Sequence, residues 1–229
     1  MKELEDIFGI TIDNPVYFRQ ALTHPSYTKE NNLSYLENYE RLEFLGDAVL
    51  KLAVSDILYK KFPDYQEGAL SKIRSIVVSD NTLFKIASET GLCDLIILAR
   101  HEAKQGLSHI ESVCACAFEA VLGAFYLDGK FNQLVPFLKD ILMPYILDVD
   151  KNFEKFNAKA MLQEYTQSLT KEIPEYSLID ESGPDHNKTF TVSVSYSGKN
   201  IAQGSGKTKK EAEQNAAYQA CKILGAINE

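Results

Sequence analysis

Cysteine is scarce in this chain of 229 residues: four stand at positions 93, 114, 116 and 221. None belongs to a Cys-x-x-Cys pair, which removes the usual zinc and redox spacings. Cys114 and Cys116, two residues apart, diverge on a helix and have no matching second pair, so a zinc site built on them is set aside. The chain is not a small disulfide-dense scaffold, and the four thiols read as free in a reducing compartment. Long apolar runs are also missing, since none approaches the roughly 20 residues that a membrane helix needs. The opening Met1-Lys2-Glu3-Leu4-Glu5-Asp6 is acidic and lacks the apolar core of a signal peptide. A cytoplasmic protein with no membrane contact is the expectation.

An excess of positive charge is lacking as well. The 24 Lys and Arg face 32 Asp and Glu, a net charge of -8. Taken alone, that argues against a nucleic-acid binder. The charge is uneven, however. Residues 1–156 hold 16 basic and 23 acidic side chains, whereas residues 157–229 hold 8 and 9. A local basic patch can therefore exist in the second part despite the acidic total.

What the chain does have is a dense acidic helix. Tyr39-Glu40-Arg41-Leu42-Glu43-Phe44-Leu45-Gly46-Asp47-Ala48-Val49-Leu50 sets three acids at steps of three and four residues. Those steps point one way on a helix, so Glu40, Glu43 and Asp47 share a face. Leu42, Phe44, Leu45, Val49 and Leu50 are expected to pack elsewhere. Like charges on adjacent turns repel, and a cation relieves the repulsion. Carboxylate oxygens suit magnesium or manganese. A second apolar helix, residues 112–128, carries one interior acid, Glu119, among Ala115, Ala117, Ala120, Gly123 and Ala124. Small residues permit close helix contact. An acid there is either a metal ligand or a surface carboxylate on an otherwise buried helix, and residue chemistry alone leaves both open.

The chain divides by pattern. Residues 1–148 read as helical, with apolar spacing such as Leu42, Leu45, Val49, Leu52, Ala53 and Ile57. Residues 149–156 are polar and read as a linker. From 157 to 229 the order is helix, three strands, helix. Phe190, Val192, Val194 and Tyr196 alternate with Thr189, Thr191, Ser193 and Ser195, the signature of a half-buried strand. Tyr196-Ser197-Gly198-Lys199-Asn200 reads as a hairpin turn. The expected fold is multidomain: an all-α domain over 1–148, then a small α+β domain (α-β-β-β-α) over 157–229.

These residues resemble a known family. Residues 39–50 look like the signature of ribonuclease III. Ala21-Leu22-Thr23-His24-Pro25-Ser26-Tyr27, Glu67-Gly68-Ala69-Leu70-Ser71-Lys72-Ile73-Arg74 and Phe118-Glu119-Ala120-Val121-Leu122-Gly123-Ala124 follow in the family's order. The resemblance implies a dimeric nuclease that cuts both strands of duplex RNA, leaving 5′-phosphate and 3′-hydroxyl ends in rRNA and mRNA processing. It implies Asp47 and Glu119 as catalytic residues, with Glu43, Asp47 and Glu119 binding Mg2+, or Mn2+ as a substitute. Glu40 and Glu67 would support the site, Glu67 across the dimer. One residue departs from the pattern. The family carries Asp three positions before the second-helix Glu, and here that position is Cys116. A thiol is a softer and weaker magnesium ligand than a carboxylate. The alternative reading is thus a duplex-RNA-binding dimer whose nuclease site Cys116 weakens.

Residues 157–229 resemble a double-stranded-RNA-binding domain through Gly183-Pro184-Asp185-His186-Asn187-Lys188-Thr189-Phe190 and through residues 204–217. Lys207, Lys209 and Lys210 gather at a helix start, where backbone N–H groups and the helix dipole favour phosphate. By themselves they could equally be a solvated helix end. The resemblance implies that Gln163 and Glu164 meet one minor groove and His186 the other. Glu213, where a basic residue is frequent, is expected to weaken the phosphate grip.

Overall fold

The computed structural model describes residues 1–184 and 188–227. Eleven α-helices and three strands are placed among the described residues: α1 (Lys2–Phe8), α2 (Pro15–Leu22), α3 (Pro25–Glu30), α4 (Glu40–Lys61), α5 (Glu67–Val77), α6 (Asp80–Glu89), α7 (Arg100–Lys104), α8 (Glu111–Leu127), α9 (Phe131–Lys151), α10 (Phe153–Thr170), β1 (Glu175–Ser182), β2 (Thr189–Tyr196), β3 (Lys199–Gly206) and α11 (Lys209–Leu224). The chain separates into two compact units, Met1–Asp148 and Val149–Glu229.

In the first unit α8 is the central helix. Cys114, Ala115, Ala117, Phe118 and every residue from Ala120 to Phe125 are buried. Its small residues let α4 approach closely. A Cβ on Gly46 would overlap the Glu119 carbonyl, and one on Gly123 would overlap that of Leu42. Only glycine at both positions permits this backbone contact. An aromatic group seats the other side of α8: Phe8 lies 6.2 Å from Phe118 and 4.9 Å from Phe125, and Phe18 lies 4.6 Å from Phe125, centroid to centroid. The carboxylate of Asp128 at the end of α8 accepts from Asp13 N and Asn14 N, both at 2.9 Å, which ties the start of α2 to α8.

Three details differ from the sequence reading. Phe44 is 82 % exposed rather than packed. The expected linker 149–156 is helical: α9 runs on to Lys151 and α10 begins at Phe153, with Asn152 between them. Val149 is buried on this stretch, so its polarity hid one apolar anchor. Cys93 and Cys114, read as free thiols, are paired as a disulfide with a Cα–Cα separation of 5.5 Å, leaving Cys116 and Cys221 free. The pairing spans 21 residues and depends on α8 meeting the turn after α6, which spacing does not reveal.

The second unit is an antiparallel sheet in the order β1-β2-β3, with α10 and α11 packed on it. Val194, Ala202, Ala158, Leu162, Ala216 and Ala220 form its core. The β2–β3 turn has positive φ at Ser197 (50°) and Gly198 (72°), the conformation that a tight two-residue hairpin requires.

Candidate active site

Two helices bring the acids together. Glu43 and Asp47 lie one turn apart on α4, flanking Gly46, and Gly46 lies against the backbone of Glu119 on α8. The backbone contact therefore delivers Glu43 and Asp47 to Cys116 and Glu119, which are themselves one turn apart. All four side chains are partly buried. Burial, followed by the charges of Asp47, Glu43 and Asp80, pushes the Glu119 carboxyl up to about 8, with Lys51 opposing the rise. The Cys116 thiol hydrogen-bonds to Glu43. Burial, that bond and the charges of Glu43, Glu119 and Asp80 raise it to about 12. At neutral pH Cys116 is a thiol and Glu119 retains a proton unless a cation joins the cluster.

The donor chemistry fits a hard divalent cation. Glu43, Asp47 and Glu119 offer partly buried carboxylate oxygens, whereas Cys116 offers a poor oxygen substitute. As the side chains stand, no three Asp, Glu, His or Cys among the described residues are gathered into a cage that could hold an ion. Asp47 Oδ2 instead pairs with Lys51 Nζ at 2.7 Å, one turn along α4.

The other predicted residues are spread out. Glu40, at the start of α4, does not join Glu119. Its backbone N–H donates to Asn38 Oδ1 at 3.0 Å, and its charge bears on His24 and Tyr39. Glu67, at the start of α5, is exposed and accepts from Ser71 Oγ at 2.6 Å. Asp80, at the start of α6, was missed by sequence reasoning. The pair Ser79-Asp80 reads as an ordinary helix start, where an acid suits the dipole, so no signal set it apart.

On the second unit, Gln163 and Glu164 are exposed on α10, and Lys207, Lys209 and Lys210 are exposed around the start of α11. Thr208 caps α11 by accepting from Glu211 N at 3.1 Å, and Glu211 Oε2 accepts from Lys207 N at 2.7 Å. Lys209 Nζ lies 5.8 Å from the Phe190 ring. Glu213 is not simply a negative intruder on this surface: its Oε2 pairs with Lys159 Nζ at 2.6 Å, joining α11 to α10. His186 lies outside the described residues.

The fold and the acid cluster define a helical nuclease unit followed by an α-β-β-β-α unit of the kind that binds duplex RNA. Comparison with known proteins gives the family. Residues 14–146 match the ribonuclease-III-like family, and residues 158–224 match the double-stranded RNA binding motif. The chain is 42% identical to the ribonuclease 3 of Pelotomaculum thermopropionicum over 95% of its own length and 90% of the relative's. It is 38% identical to that of Listeria monocytogenes over 97% of both. Among solved structures, the nuclease domain of ribonuclease III from Campylobacter jejuni is similar, with a TM-score of 0.54 and 35% identity, covering 63% of this chain and 94% of that one. This chain belongs to the ribonuclease III family and is an endoribonuclease. Among the described residues no helix is long and apolar enough to cross a membrane.

Proposed function

We propose that this chain is a magnesium-dependent, dimeric endoribonuclease that cuts both strands of duplex RNA and leaves 5′-phosphate and 3′-hydroxyl ends. The observation that carries the reading is the convergence of Glu43, Asp47 and Glu119 where α4 and α8 touch through glycine. Glu43, Asp47 and Glu119 would hold Mg2+, or Mn2+ in its place, with Cys116 at the edge of the set. When bound, the cation would polarise the scissile phosphate and lower the pKa of the attacking water. Asp47 and Glu119 would carry catalysis by holding that cation and by accepting a hydrogen bond from the attacking water to orient it. Lys51 must release Asp47 for this, and the pair it forms is of the weak, exposed kind.

Dimerisation through residues 1–148 is supported by an exposed apolar surface around the acid helix. Phe44, Leu52 and Tyr59 are 82 %, 57 % and 75 % exposed. A groove of about 640 Å³ beside them is lined by Leu52, Tyr59, Tyr65, Leu70, Glu67 and Arg74. An apolar surface of this kind fits a partner, and a second copy would set two acid clusters on one duplex. Glu67, which opens onto the groove, would then support the site across the dimer. The Campylobacter nuclease domain, for its part, has structural flexibility in a region involved in dimer formation.

We assign nuclease chemistry to residues 1–148, the connection to 149–156 and duplex-RNA binding to 157–229. In the last, Gln163, Glu164, Lys207, Lys209 and Lys210, together with His186, form the RNA surface. Membership of the family supports a role in rRNA and mRNA processing and a cytoplasmic location. A cleavage assay on a duplex RNA, with and without Mg2+ and with 5′ and 3′ end analysis, tests the reading. Cutting independent of divalent metal would overturn the metal-dependent reading, and duplex bound by a dimer but left intact in Mg2+ would favour the RNA-binding alternative.

A further inference from the structure

Cys93 and Cys114 lie outside the acid cluster, yet their bond ends on one of the helices that carry it. Cys114 stands in the first turn of α8, the helix of Cys116 and Glu119, and Cys93 in the short turn Leu92–Leu95 that follows α6. Both are fully buried. The segment between them is held differently. No residue from Arg100 to Ser112 is buried, although the segment includes α7 and the turn Leu107–His109. Polar contacts tie it down. Ala99 N donates to Ser26 Oγ at 3.1 Å, Arg100 N donates to Glu30 Oε2 at 3.1 Å, and His109 Nε2 lies 3.3 Å from Asp94 Oδ1 in an exposed pair. An exposed pair contributes little. A segment with few buried apolar contacts opens locally at low cost. The disulfide closes this 21-residue span at its base and restricts the freedom of the open chain.

The sulfurs have partners in the reduced state as well. Cys114 Sγ lies 2.8 Å from Ser108 O, a carbonyl that accepts from a thiol, and Cys93 Sγ lies 3.7 Å from Ser88 Oγ. The Cα–Cα separation of 5.5 Å suits the bond equally. The two states thus differ by one covalent tie on the same packing.

We propose that Cys93 and Cys114 are a reversible redox pair, a modification site that sets how firmly the Arg100–Ser112 segment is stapled to α8 and, with it, the temperature at which the nuclease unit unfolds. The oxidant is a small-molecule disulfide of the glutathione type. One cysteine thiolate attacks it, forming a mixed disulfide and releasing one small thiol. The second cysteine, as thiolate, displaces the other small thiol, and the Cys93–Cys114 bond forms. In sum, two protein thiols and one small disulfide give one protein disulfide and two small thiols. Excess small thiol runs the exchange backward. Opening of the lightly held segment gives the buried sulfurs their access.

The test equilibrates the full chain with oxidised glutathione or with dithiothreitol, unfolds it in an alkylating agent and maps its cysteines by mass spectrometry. The oxidised chain is expected to show a Cys93–Cys114 bond with Cys116 and Cys221 alkylated, and the reduced chain to show all four cysteines alkylated. The oxidised nuclease unit should unfold roughly 5–15 °C above the reduced one, with slower hydrogen exchange over residues 94–113. Between the two midpoints only the oxidised chain should cut duplex RNA. Cys93→Ala should unfold like the reduced parent under both conditions and still cut at low temperature, which separates loss of the bond from loss of the fold. Four free thiols after oxidised glutathione, a bond that survives dithiothreitol in the folded chain, or a bond made by Cys116 would overturn the redox pair. Equal melting temperatures and equal exchange in the two states of the parent chain would overturn the staple.

Discussion

Gly46 and Glu119 meet backbone to backbone: the carbonyl of Glu119 fills the space where a Cβ of Gly46 would stand. The arrangement of the acids follows from that contact, because Glu43 and Asp47 flank Gly46 while Cys116 and Glu119 lie on the facing turn of α8. Any side chain at position 46 must push the two helices apart.

Gly46→Ala is accordingly expected to destabilise the first unit by about 1–3 kcal/mol, the usual range for an overpacked core. Thermal unfolding checks this. An unchanged melting temperature would mean that α4 and α8 are not in backbone contact.

The raised Glu119 carboxyl predicts a pH dependence of metal-free stability. Its folded value, about 8, exceeds its ordinary value of 4.5, so the folded state binds more protons between those values. Stability from this group is present at acid pH and is lost as pH rises toward 8. Glu119→Gln should therefore raise the melting temperature of the metal-free protein at pH 8, and by much less at pH 5. Equal gains at both pH values would show that Glu119 ionises normally.

Cys116 remains a thiol at neutral pH, held up by burial and by its bond to Glu43. It gives a hard cation neither charge nor oxygen. Magnesium titrations of cleavage should shift to lower concentration in Cys116→Asp, and the advantage of manganese over magnesium should narrow. Superimposable magnesium curves would make position 116 a packing residue only.

Lys209 and Lys210 stand exposed in the first turn of α11. Changing both to Ala should weaken duplex binding at every sequence and reduce the slope of log affinity against log salt, by roughly 0.9 for each phosphate no longer neutralised. A slope equal to that of the parent chain would place the phosphate grip elsewhere.

The strands were readable because Phe190, Val192, Val194 and Tyr196 keep a strict period of two, and the turn because Ser197-Gly198 accepts positive φ. The acid cluster was readable in part: helical spacing joined Glu43 to Asp47 and Cys116 to Glu119. It also placed Glu40 on the same face, in the first turn of α4, where Asn38 Oδ1 accepts from its backbone N–H. Asp80 reaches the cluster from a third helix, a tertiary relation that no local pattern encodes. The exposure of Phe44 was hidden for another reason. Apolar residues are read as inward-facing, and this one stands exposed on α4.

The most direct measurement is duplex-RNA cleavage by Glu119→Ala in magnesium, with binding of the same RNA measured in parallel. Loss of cutting with nearly unchanged binding is the predicted result, since Glu119 belongs to the acid cluster of the first unit and the exposed α11 lysines to the second. Cleavage at the parent rate in that variant would contradict the assignment of the Glu43–Asp47–Glu119 cluster as the catalytic metal site.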